Sequence, residues 1–68
     1  MSIAKVTEIT STSSSSFEDA IQTGMERASK TLKNIKGGWV KEQKVSCDEN
    51  GRINEYRVDL KVTFVLDD

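Results

Sequence analysis

The chain has no histidine and only one cysteine, Cys47, in 68 residues. A lone cysteine closes no intrachain disulfide. Without histidine the usual Cys/His zinc sites are excluded as well. Ser-His and Cys-His nucleophile pairs go with them, as do most acid–base arrangements that work near neutral pH. No stretch approaches the roughly 20 apolar residues of a membrane span. The start, Met1-Ser2-Ile3-Ala4-Lys5-Val6, has no signal-peptide hydrophobic region, so a reduced, cytoplasmic setting is the expectation. Phosphate-loop and dinucleotide glycine patterns are absent. No acidic spacing matches a calcium loop. Glu42, Glu49, Glu55 and Asp59 are spread along the chain. Catalytic carboxylate pairs need a cleft that so small a domain rarely supplies, and no enzyme is expected.

Ten basic and eleven acidic residues leave a net charge of −1, which argues against a partner nucleic acid bound by bulk charge. The length fits one domain, residues 1–68. A chain this short buries only about 60% of its unfolded surface, so its own core is marginal. With disulfides and zinc excluded, oligomerisation is the remaining source of stability.

Ile3 to Thr10 is rich in β-branched residues and reads as a first strand. Ser11 to Ser16 reads as a loop that ends in a helix cap. Ser15 with Glu18 fits a capping box, and Ser16 with Asp19 is a second option. The spacing of Phe17, Ala20, Ile21, Met25, Ala28, Leu32 and Ile35 predicts a helix from Phe17 to Ile35 or Lys36. Gly24 lies on that stripe, where it lets another element come close. Gly37-Gly38 reads as the helix stop. Trp39 to Cys47 reads as a second strand. Simple alternation puts Trp39, Lys41, Gln43, Val45 and Cys47 on one side and Val40, Glu42, Lys44 and Ser46 on the other. Asn50-Gly51 marks a hairpin turn. In the last strand, about Ile53 to Leu66, Tyr56, Val58, Leu60, Val62, Phe64 and Leu66 alternate with more polar residues. Asp67 and Asp68 are expected in solvent. The class is α+β in the order β-α-β-β: a three-stranded antiparallel sheet wrapped round one helix. Its long strands are expected to offer edges to other chains.

Trp39 follows two glycines at a strand start. It is either a core or interface aromatic or a stacking surface for a flat ligand. Arg57 lies on the polar side of the last strand. It is either a solvated charge or a fork of donors for a carbonyl, phosphate or carboxylate. Lys41, Lys44 and Lys61 complete a basic ring only if polar faces of several copies converge. Cys47 reads as a small hydrophobe near a turn, with nothing beside it to activate a thiolate.

Taken together, the chain resembles a dodecin. The likeness runs through Lys5-Val6-Thr7-Glu8-Ile9, Thr12-Ser13, Ala20, Ala28 and Thr31-Leu32. It continues in Val40-Lys41-Glu42-Gln43, Glu55-Tyr56-Arg57-Val58, Lys61-Val62 and Phe64-Val65-Leu66. It lies in the combined order over nearly the whole chain, and no single motif carries it. The resemblance implies a hollow homododecamer that binds FMN, riboflavin or a related flavin, for storage and quenching and without catalysis. In that family two flavins stack between tryptophans of twofold-related subunits, and a glutamine on the last strand bonds the ring edge. Here the stacking position falls at Gly37, with Trp39 two residues later on the strand. Arg57 stands where the glutamine belongs. Arginine donates to flavin carbonyls but cannot accept from the ring N–H, and its charge favours an anionic flavin or a phosphate. Trp39, Arg57, Gly37 and Lys44 are therefore the expected flavin-site residues, with no metal ligand assigned. The alternative is a flavin-free shell that holds an ion such as calcium or an anionic metabolite, because some dodecin-like proteins lack the tryptophan.

Overall fold

The computed structural model describes residues 2–66, which form β1 (Ala4–Ser13), α1 (Phe17–Ala28), β2 (Ile35–Cys47) and β3 (Ile53–Val65). Asp67 and Asp68 lie outside the described residues. The three strands make one antiparallel sheet in the order β1-β3-β2. The alternation of the last stretch gives β3 one apolar face, which lies at the centre of the core. Val58, Leu60 and Val62 are at most 2% exposed beneath the helix. With Ala20 they make the centre of the core, and Ile9, Phe17, Ile21, Met25, Leu32 and Ile35 close round it, half buried. Phe17 meets Tyr56 edge to face, ring centroids 5.1 Å apart. Because β3 is internal, the open edges belong to β1 and β2.

The first strand runs three residues beyond its expected end at Thr10. Ser11, Thr12 and Ser13 pair with Val58, Arg57 and Tyr56. Small polar residues are tolerated there because an edge strand needs only backbone bonds on one side, and Gly24 crosses directly above. A Cβ on Gly24 would stand 2.9 Å from Ser11 Cβ and 3.3 Å from Leu60 Cδ1. The close approach expected of Gly24 is thus made to a strand.

The second capping option is the one realised. Ser16 is extended, and its Oγ accepts the Asp19 N–H at 2.9 Å. The Asp19 carboxylate accepts the Ser13 hydroxyl at 2.6 Å. Ser13 Oγ in turn accepts the N–H groups of Ser15 and Ser16 at 2.9 and 3.4 Å.

The helix is shorter than its stripe. It ends at Ala28, and Ile35 and Lys36 belong to β2. Ser29 Oγ donates back to the Glu26 carbonyl at 2.6 Å, and the Lys30 and Thr31 N–H groups turn to the carbonyls of Arg27 and Ala28. This tighter bonding closes the helix. Asn34, at φ 61°, then turns the chain into β2. Leu32 and Ile35 keep the helical spacing because both still pack on the core. Periodicity reported burial there, and the backbone did not follow it.

Gly37 and Gly38 consequently stand inside β2, opposite Thr63 and Val62, and are not a helix stop. The register slips at Ile35/Gly37, Val40/Glu42 and Ser46/Cys47. The middle bulge at Lys41 resets the alternation. Val40, Gln43 and Val45 pair with the helix-side residues Leu60, Val58 and Tyr56, while Glu42 and Lys44 pair with Asp59 and Arg57 on the other face. The two-sided pattern read from simple alternation is therefore corrected beyond Val40. At the hairpin end Asp48 accepts the Asn50 and Arg52 N–H groups on Oδ1 at 2.8 and 3.0 Å, and Gly51 takes φ 80°.

Two pairs of substitutions test this account. A Cβ on Gly38 would lie 2.3 Å from the Lys61 carbonyl oxygen, whereas one on Gly37 meets nothing within 4 Å. Gly38→Ala is expected to cost about 1–3 kcal/mol in a urea titration. Gly37→Ala should stay within about 0.5 kcal/mol; equal effects would refute the close β2–β3 approach. Ser16→Ala should cost about 1 kcal/mol through the lost cap, and Ser15→Ala much less. The reverse ranking in the same titration would place the cap at Ser15.

Candidate functional site

α1 packs on β1 and β3, and leaves one face of the sheet without a helix. That face carries the alternate residues of β3, Glu55, Arg57, Asp59 and Lys61, since Tyr56, Val58, Leu60 and Val62 turn to the helix. Antiparallel pairing sets them in rungs. Arg57 is opposite Lys44 of β2 and Thr12 of β1; Asp59 is opposite Glu42 and Thr10; Lys61 is opposite Trp39 and Glu8.

The rung of Lys61 is tied across all three strands. Glu8 Oε1 of β1 lies 3.0 Å from Lys61 Nζ of β3 and 3.3 Å from Lys41 Nζ of β2. The Lys41 bulge lets that second ammonium reach across the central strand. Hydrogen bonds from Lys61 and then Lys41 hold the Glu8 carboxyl below its ordinary value of 4.5. One rung on, the Thr10 hydroxyl donates to Asp59 Oδ1 at 2.9 Å.

The next rung sets two cations opposite each other, Lys44 and Arg57. Like charges in direct opposition disfavour the pair. Each leans instead on an acid of its own strand: Lys44 Nζ is 3.3 Å from Glu42 Oε1, and Arg57 is 3.4 Å from Glu55 Oε1. Both cations remain about half exposed, so these contacts leave their donors available to an anion.

Of the four residues expected at a flavin site, Arg57 and Lys44 share a rung. Gly37 and Trp39 lie near the other end of β2, opposite Thr63 and Lys61. The Glu42–Asp59 rung separates the two pairs. Four residue steps along β3 separate Arg57 from the Trp39 rung, about 13 Å of extended chain. Trp39 is 53% exposed, and the space beyond Gly37 is open. Gly38, Trp39 and Val40 also wall a groove of about 130 Å³ against Ile21, Met25 and Leu60. Among the described residues, no three or more carboxylates or thiols gather into a metal cluster. The bridging role of Glu8 was not visible in the sequence, where it is one acid in an imperfectly alternating strand. Only strand order puts it beside Lys61 and Lys41.

The Glu8 bridge has a pH signature. Its folded pKa lies below the unfolded one, so its stabilisation is complete above the unfolded value and is lost as pH falls through the folded value. Thermal melts from pH 7 down to pH 3 should show Glu8→Gln already destabilised at pH 7. The gap between the variant and the parent should narrow as pH falls below 4.5, the ordinary value, toward the lower folded one. A gap that stays constant from pH 7 to pH 3 would show that Glu8 acts through packing and not through its charge.

Comparison with known proteins agrees with this architecture. Residues 3–67 match the family model for dodecin. The calcium dodecin of Mycobacterium tuberculosis is 38% identical over 66 residues, 97% of this chain and 92% of that protein. Among solved structures, a variant of the Thermus thermophilus dodecin superposes with a TM-score of 0.91 at 37% identity, covering 100% of both chains. The Streptomyces davaonensis dodecin gives 0.91 at 36% identity, covering 98% of this chain and 97% of its own. The structure of the M. tuberculosis protein, described as calcium chelating, gives 0.80 at 34% identity over 96% and 91% of the two chains. With β-α-β-β order, one helix and a three-stranded antiparallel sheet in common, this chain belongs to the dodecin family.

Proposed function

We propose that the chain is a non-catalytic flavin-storage dodecin, a single domain that assembles as a hollow homododecamer in the cytoplasm and sequesters and quenches FMN or riboflavin. The observation that carries this reading is Trp39, a half-exposed aromatic beside the open backbone of Gly37. A core tryptophan would be covered; this one offers a stacking surface. Arg57 and Lys44 supply donors for the charged end of the ligand. Their separation from the Trp39 rung, about 13 Å along the strand, is comparable with a flavin ring carrying a ribityl phosphate tail. FMN is therefore preferred over riboflavin.

A second reading rests on the same cation pair. Lys44 and Arg57 in direct opposition would be relieved by any phosphate- or carboxylate-bearing metabolite, with no flavin needed. Among the described residues no cluster of acids forms within one copy, so a calcium site built from them would draw carboxylates from more than one copy.

Titrating FMN and riboflavin fluorescence with the purified protein tests the choice. Quenching is expected, stronger for FMN and weakened by salt. Trp39→Ala should reduce affinity tenfold or more, equivalent to about 1.4 kcal/mol. Unquenched flavin at micromolar concentrations would end the flavin reading. A phosphate-dependent rise in melting temperature, lost in Arg57→Gln, would then support the anion reading.

A further inference from the structure

The two open edges of the sheet differ. β2 pairs with β3 through three register slips, and each slip interrupts the row of backbone groups that the strand presents. β1 pairs with β3 without a slip from Ala4 to Ser13. Its outer edge is therefore an even row of N–H and C=O groups, the template that a further strand needs. Where β1 passes α1, a groove of about 380 Å³ opens along that edge. Ile9, Gly24 and Ala28 make its apolar part. Thr10 and Thr12 line it too, although the Thr10 hydroxyl is bonded to Asp59 on the helix-free face and Thr12 stands opposite Arg57 there. With their side chains turned away, these two residues wall the groove with backbone.

The groove holds a single charge. Arg27 lines it from the helix, exposed, and among the described residues its guanidinium has no ion-pair or hydrogen-bond partner. A small anion would satisfy Arg27, but only an extended main chain satisfies the strand edge as well. A polyanion or a charged membrane would need a field of one sign, and a lone cation on a chain of net charge −1 supplies none. We propose that the groove between β1 and α1 binds an extended acidic peptide segment of another protein. The segment pairs with Ile9 to Thr12 as a fourth strand and sets a carboxylate on Arg27. Ile9 to Thr12 spans about 10 Å of strand, room for roughly three or four paired residues. The site uses neither Trp39, Lys44 nor Arg57, leaves the helix-free face open, and does not depend on the flavin reading.

The probe is a fluorescein-labelled peptide, Thr-Glu-Thr-Glu-Thr-Glu, whose carboxylates share one face when it is extended. Titrated with the full chain at low salt, its anisotropy should rise to saturation. Replacing the peptide's Glu by Gln should weaken binding about fivefold. Arg27→Gln should weaken binding of the Glu peptide by the same factor and leave the Gln peptide unaffected. The Glu peptide methylated on every backbone nitrogen keeps its charges, loses its donors and should not bind. Amide exchange from Ile9 to Thr12 should slow when the unmethylated peptide is added. Thr23→Phe, which fills the groove from the exposed side of the helix, should abolish binding while the parental mass by light scattering is kept. Equal binding of the methylated peptide, or unchanged exchange from Ile9 to Thr12, would overturn the strand pairing. Equal binding of the Gln peptide to the parent would overturn the role of Arg27. Absence of binding at millimolar peptide would overturn the site. A smaller particle mass in both Arg27→Gln and Thr23→Phe would also overturn it, by showing that a second copy fills the groove.

Discussion

Val58, Leu60 and Val62 hold the molecule together because they are paired on both sides and covered from above. Their backbone bonds run to β1 and β2, and their side chains meet Ala20, Ile21 and Met25 of the helix. Everything else is placed relative to them. Gly24 has no side chain because the helix must come down on Ser11 and Leu60. Gly38 has none because β2 runs against the Lys61 carbonyl. The cap at Ser16 and the early stop at Ala28 set a helix just long enough to roof β1 and β3.

That arrangement leaves much apolar surface outside. Val40, Val45 and Ile53 on the hairpin, with Ile3 just before the first strand and Val6 within it, are each more than a third exposed. A core of so few residues is what a chain of this length can bury alone. Membership of the dodecin family fits such a chain, since relatives with the same frame keep their TM-scores at 0.80 to 0.91 despite identities near 35%. On this frame the helix-free face carries the alternating charges of β3 and the paired charges of β2. Its rungs of like charge are costly within one chain.

Much of this was legible in the residues. The alternation from Tyr56 to Phe64 marked the strand whose inner face is the core. Phe17 to Ala28 marked the helix, and Asn50-Gly51 the hairpin. Other features were hidden because pattern reports burial and not backbone shape. Leu32 and Ile35 extended a helical stripe past the real helix end, since a turn and a strand can keep the same residues inward. Ser11 to Ser13 looked like a loop, yet an edge strand accepts them. The bulge at Lys41 left no mark in composition. It nevertheless moved Glu42 and Lys44 onto the face of Asp59 and Arg57, and so created the rungs.

The sequence by itself determined the element order, the identity of the core strand and the family likeness. Each of these rests on local periodicity and chain order, which are properties of neighbours along the chain. The tertiary structure alone decided that β3 lies between the other two strands, that Glu8 bridges Lys61 and Lys41, and that Arg57 stands opposite Lys44 and apart from Trp39. These depend on strand order and on one inserted residue. Both are set by how distant segments pair, and a shift of a single position turns a side chain to the other face of the sheet.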